Sequence, residues 1–94
     1  MGRLNRIINF DVVAANTWYK AYDVEDYKNN PIQEIKVKLR ESSNADHFRY
    51  AYVATPTTYM TSSAGFFTLR DVKQLYVYVP DDAGEVIEIE IVYR

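Results

Sequence analysis

The 94-residue chain contains no cysteine, so neither a disulfide nor a thiolate metal site can form. A domain this small without such staples must depend on a tightly packed core, or on surface buried against partners. Glycine is scarce, with three residues in all, which leaves little material for a phosphate-cradling loop. No P-loop, dinucleotide fingerprint or zinc spacing is present. No apolar run approaches the roughly 20 residues that a membrane-spanning helix needs. The opening MGRLNRIINFDVV is broken by Asn5, Arg6 and Asn9 and makes a poor signal peptide. Long amphipathic helix patterns are missing as well. An excess of positive charge is also lacking: the formal net charge of −2 argues against a non-specific hold on nucleic acid.

What is present is period-2 alternation. With 48% apolar and 26% charged residues, the chain has the balance of a single globular domain. Ile35, Val37 and Leu39 alternate with Lys36, Lys38 and Arg40, which reads as a half-buried strand with a basic outer face. Ile87, Ile89, Ile91 and Tyr93 alternate with Glu88 and Glu90, a second such strand with an acidic face. Leu75, Val77 and Val79 face a core, so Tyr76 and Tyr78 face outward or meet a partner. Phe48, Tyr50 and Tyr52 lie on one face of a further strand, expected to point inward, with Arg49 on the other.

Weaker strands are expected over 7–13, 17–22 and 66–69, and a short one over 59–62. At most one helical turn is expected over 24–28, and another over 69–75. Asn29-Asn30-Pro31 reads as a turn, and Ser42 to Asp46 as a polar loop. Pro80-Asp81-Asp82-Ala83-Gly84 reads as the turn of a hairpin, with Gly84 free to adopt positive φ. Seven to eight short strands separated by turn signals define an all-β fold, a single-domain antiparallel β-sandwich or jelly-roll-like architecture. Residues 17–94 would form the sandwich, and 1–16 either its first strand or an arm exchanged with a neighbouring subunit.

Little in the sequence carries reaction chemistry. His47 adjoins Asp46, with Ser42 and Ser43 upstream, but no nucleophile-elbow context surrounds the serines. The segment Asp23-Val24-Glu25-Asp26 lacks the glycine and spacing of a calcium loop and reads as a solvated loop or one helical turn. No metal ligand set, cofactor or catalytic residue is expected, and the chain is read as a non-enzyme. The basic face Lys36, Lys38, Arg40 allows a contact for an anionic partner, a charge ladder with Glu88 and Glu90, or protection of a sheet edge. Complementary charge on the two most regular strands favours the ladder.

The second half of the chain carries a further pattern: Pro56, Tyr59, Met60, Thr61, Ala64, Gly65, Phe66, then Leu75, Tyr76, Val77, Asp81, then Ala83, Gly84, Val86, Ile87, Glu88 and Ile89. This stretch, within residues 48–94, resembles small β-rich virion proteins of tailed bacteriophages. The resemblance implies a structural role without enzyme activity, as a capsid decoration (cement) subunit or a small head or tail component. It implies a virion location after synthesis in the host cytoplasm. Implied partners are the major capsid protein or another virion protein, with homo-oligomers expected and neither nucleic acid nor membrane bound. Candidate partner-binding residues are Trp18, Tyr19, Tyr22, Thr55, Thr57, Thr58, Tyr76 and Tyr78. The alternative is a carbohydrate-binding β-sandwich that stacks sugars on Trp18, Tyr19, Tyr22, Tyr76 and Tyr78. A weaker third reading is an inhibitor or adaptor of a host enzyme.

Overall fold

The computed structural model describes residues 5–27, 31–40, 44–63, 65 and 67–94. Eight strands follow one another: β1 (Arg6–Val12), β2 (Tyr19–Asp23), β3 (Ile32–Leu39), β4 (His47–Ala51), β5 (Met60–Ser63), β6 (Phe67–Leu69), β7 (Gln74–Tyr78) and β8 (Glu85–Tyr93). One sheet has the order β1-β8-β3-β6 and the other β2-β7-β4-β5, with antiparallel pairing throughout. The first strand pairs with the eighth, the second with the seventh, the third with the sixth and the fourth with the fifth. That nesting is an antiparallel ribbon rolled into two packed sheets, the jelly-roll form of the expected sandwich.

Alternation puts the core where the sequence places it. Ile35, Val37, Leu39, Ile87, Ile89 and Ile91 from one sheet meet Phe48, Tyr50, Leu75, Val77 and Val79 from the other, and all are buried. Aromatic contacts bridge the layers. Phe67 of β6 stacks on Tyr50 of β4 at 4.7 Å between ring centroids and lies 6.0 Å from Phe48. Phe10 of β1 meets Tyr19 of β2 at 6.1 Å. These ring pairs add cohesion beyond the area they bury.

The outer face of the first sheet is the charge ladder. Lys36 lies opposite Glu90, and Lys38 opposite Glu88. Arg40 Nε donates to Glu88 Oε2 at 2.9 Å, and Lys38 Nζ lies 3.8 Å from Glu88 Oε1. Edge protection does not apply to this basic strand, because β3 lies inside its sheet between β8 and β6.

The 80–84 connection departs from expectation. It reverses the chain and Gly84 has φ 77°, but β7 and β8 lie in different sheets and do not form a hairpin. The turn chemistry fixes the reversal; the pairing is set by the burial of both inner faces, which sends β8 between β1 and β3. Residues 24–27 form one 3₁₀ turn, whereas 70–73 contain no helical turn and hold Asp71 at φ 58°. The first described residues form β1, an edge strand paired along its length with β8. The expected loop at Asn29-Asn30 lies outside the described residues.

Candidate functional site

The outer face of the second sheet gathers the polar aromatic residues. In β7, Leu75 and Val77 point inward, which turns Tyr76 and Tyr78 outward. Arg49 of β4 is the direct cross-strand partner of Tyr78, and Thr61 of β5 lies opposite Arg49 on the other side. The Arg49 guanidinium sits 4.9 Å from the Tyr78 ring centre and 4.7 Å from that of Tyr59. Trp18, just before β2, closes the cluster at 5.1 Å from Tyr78 and 6.0 Å from Tyr59, its ring tilted against both. A cation so placed over tyrosine faces is held by the ring quadrupoles.

A loop clip stiffens this cluster. The Tyr78 hydroxyl and the Asp81 backbone N–H both donate to Asn16 Oδ1 at 3.2 Å. The Asn16 backbone N–H donates to the Val79 carbonyl at 2.9 Å. Asn16 and Asp81 have φ 56° and 63°, a left-handed conformation that these short polar side chains tolerate better than most.

Next to the cluster, the β4–β5 connection carries an apolar patch. Tyr52, Val53, Tyr59 and Met60 are 52%, 57%, 46% and 59% exposed, and they line one open groove of about 340 Å³ with Tyr50, Ala51 and Thr58. Four of the six exposed large hydrophobic residues among the described ones lie in this short stretch. Scattered exposed hydrophobes are ordinary; a contiguous group is a feature that interaction surfaces share.

The candidate residues named from sequence divide clearly. Trp18 and Tyr78 come together, and Tyr76 shares their face, cross-strand from Lys20. Thr58 lines the apolar groove, and Thr55 and Thr57 are exposed on the same loop. Tyr19 is half-buried against Phe10, and its hydroxyl accepts the Ala14 backbone N–H at 3.0 Å. Tyr22 is a correction: it is 3% exposed and belongs to the core. A register shift between Lys20 and Tyr22 turns its side chain inward opposite Leu75 and leaves Lys20 outward beside Tyr76. It stacks on Tyr27 with ring planes 8° apart, and burial pushes its hydroxyl pKa up to about 12.

Tyr52 is a second correction. The strand ends at Ala51, so Tyr52 leaves the alternation and becomes half-exposed, whereas Phe48 and Tyr50 point inward as expected. Sequence reasoning missed Arg49, Tyr59 and Met60 as members of the surface. Alternation already turned Arg49 outward, but its place beside Tyr78 depends on the β4–β7 pairing.

The remaining polar groups have local uses. Asp23 Oδ1 accepts the Glu25 backbone N–H at 3.0 Å, and its Oδ2 accepts Lys20 Nζ at 2.9 Å; these bonds hold the carboxyl below its usual pKa. This acidic segment therefore caps a 3₁₀ turn. His47 Nδ1 lies 2.6 Å from Asp46 Oδ1 at an open surface, and that hydrogen bond lowers the Asp46 pKa. Ser42 and Ser43 lie outside the described residues. Among the described residues no group of three His, Asp or Glu side chains is placed to hold a metal ion, and no helix is long and apolar enough to cross a membrane. A recess at one end of the sandwich, lined by Tyr22, Val24, Ile32 and Leu69, measures about 180 Å³. That is below the roughly 300–1,000 Å³ of ordinary ligand pockets.

Fold and surface together define a class: an all-β jelly-roll domain with an arginine–aromatic cluster bordering an apolar loop. Compared with known proteins, the chain matches no family model, no curated protein and no solved structure.

Proposed function

We propose that this chain is a structural subunit of a tailed-bacteriophage particle, a decoration (cement) or small head or tail component that docks on a larger virion protein. The observation that carries this reading is the contiguous exposed group Tyr52, Val53, Tyr59 and Met60, on the β4–β5 connection and the first residue of β5, beside Trp18 and Arg49. Tyrosine, tryptophan, methionine and arginine are the residue types enriched at protein interfaces, and the first, second and fourth dominate their energetics. The jelly roll itself is compatible with this role but, being shared by many functions, does not assign it. The work done is passive. Docking removes the apolar loop from water and stabilises the assembly by mass action, about 2.7 kcal/mol when the free partner is at 100 times Kd.

The carbohydrate reading has less support. Tyr22 is in the core, and Tyr19 is engaged with Phe10 and Ala14. The rings of Trp18 and Tyr78 meet at 45° and offer no common plane, and Arg49 covers one face each of Tyr59 and Tyr78.

Mass spectrometry of gradient-purified particles from a phage encoding the chain tests the proposal. The chain is expected among the virion proteins: a high copy number indicates decoration, and a count of about a dozen or fewer a neck, tail or fibre position. Particles devoid of the chain would overturn it.

A further inference from the structure

We infer that Arg49 is the anchor for a carboxylate presented by the protein partner, an Asp or Glu side chain flanked by apolar residues. The inference rests on the docking role proposed above and names the partner's chemistry. Among the described residues, the Arg49 guanidinium makes no hydrogen bond and no ion pair; it lies against the rings of Tyr59 and Tyr78. The Arg6 guanidinium likewise has only a ring contact among the described residues, with Tyr27 at 5.5 Å, but lies on the other sheet, away from the apolar loop; two further arginines are paired. Arg40 is held by Glu88 at 2.9 Å and Arg70 by Glu34 at 3.4 Å.

Two rings against the guanidinium leave its N–H edge as the polar part, and that edge presents a planar fork of donors. A carboxylate matches the fork with two parallel charge-assisted bonds. The rings remove water from the faces of the cation and limit its rotamers, so part of the ordering cost of binding is met before the partner arrives. The Tyr78 hydroxyl, fixed by Asn16, holds one of the two rings in place.

Position and charge narrow the ligand. Tyr59 contacts Arg49 and also lines the groove with Val53 and Met60, so an anion at Arg49 sits beside an apolar seat. Two basic groups on this face are engaged within the chain: Lys20 with Asp23 at 2.9 Å and His47 with Asp46 at 2.6 Å. A single guanidinium suits a monoanion better than a phosphate dianion, which usually draws several cations. The partner segment therefore carries one acidic side chain among apolar ones.

The test is an NMR titration of the full chain, following the Arg49 Nε–H, the Trp18 indole N–H and the Met60 methyl. The probes are acetyl-Leu-Glu-Leu-amide, its Gln counterpart and inorganic phosphate. The Glu peptide is expected to shift all three signals saturably and to bind at least fivefold more tightly than the Gln peptide. Arg49→Gln is expected to abolish that preference while melting close to the wild type. Arg49→Lys is expected to restore less than half of it, because an ammonium lacks the fork. Equal binding of both peptides by the wild-type protein overturns the inference without recourse to any variant. If the Met60 methyl still shifts in that case, the docking loop survives and only the anchor fails; if no signal moves, both readings fail on this surface. Phosphate binding as tight as the Glu peptide overturns the carboxylate assignment. A dimer that dissociates on Arg49→Gln replaces the foreign partner by a second copy and likewise overturns it.

Discussion

Tyr22 offers a quantitative check on the packing that removes it from the surface. It is 3% exposed, stacked on Tyr27, and burial is the largest cause raising its hydroxyl from an ordinary 10.0 to about 12. The unfolded chain releases this proton near pH 10 while the folded protein retains it. Between the two values the folded state binds more protons, so stability falls as pH rises. The contribution is fully present below the unfolded value and lost as pH climbs through the folded one. A rise of that size corresponds to about 2.7 kcal/mol, a large part of the roughly 5–15 kcal/mol available to a small domain. Burial also raises Tyr27 and Tyr50, so the wild type loses more than the Tyr22 share alone. Tyr22→Phe isolates that share, because the Tyr22 hydroxyl makes no hydrogen bond among the described residues. Urea unfolding of both proteins should give stabilities within about 1 kcal/mol at neutral pH. Toward about pH 12 the variant should lose some 2–3 kcal/mol less than the wild type. Equal alkaline losses would refute the burial of Tyr22 and return it to the surface.

Three further outcomes are expected. Phe48→Ala empties a fully buried site beside Tyr50 and Phe67 and should cost about 3–5 kcal/mol by denaturant unfolding; a loss under about 1 kcal/mol contradicts the inter-sheet packing. Glu88→Gln removes the charge that holds Lys38 and Arg40 and should cost about 0.5–1.5 kcal/mol at low ionic strength, shrinking in molar salt; a salt-independent loss contradicts the ladder. Asn16→Ala removes the acceptor for Tyr78 and Asp81 and puts a less tolerant residue at φ 56°, so about 1–3 kcal/mol should be lost, with a shift of the Trp18 indole signal; an unchanged melting curve contradicts the clip.

How much of this was legible depended on whether alternation continued to the end of each element. Residues 35–39 and 85–91 keep period 2, so their buried faces and the ladder on the other side follow from spacing. The stretch around Tyr22 does not: a single register shift between Lys20 and Tyr22 reverses the face, and no local residue pattern announces it. Tyr52 misled in another way, because the strand stops one residue earlier. The turn at 80–84 identified a reversal and Gly84 as its positive-φ residue. That its flanking strands belong to separate sheets is a property of the whole roll. The site was half legible for the same reason. Trp18 and Tyr78 stood out as aromatic, whereas Arg49 acquires its place from being opposite Tyr78 and over the Tyr59 ring, a juxtaposition of three separate segments.

Under the proposed function, residues 52–60 and their aromatic border dock the chain on a virion protein. Co-sedimentation with purified particles lacking the chain distinguishes the outcomes, comparing the wild type with a Val53→Ser/Met60→Ser double variant that changes two exposed side chains outside the ring cluster. The wild type should sediment with the particles to a saturating copy number, and the double variant, folded and equally stable, should remain in the supernatant at the same concentration. Failure of the wild type to bind, or equal binding by both proteins, would contradict the account.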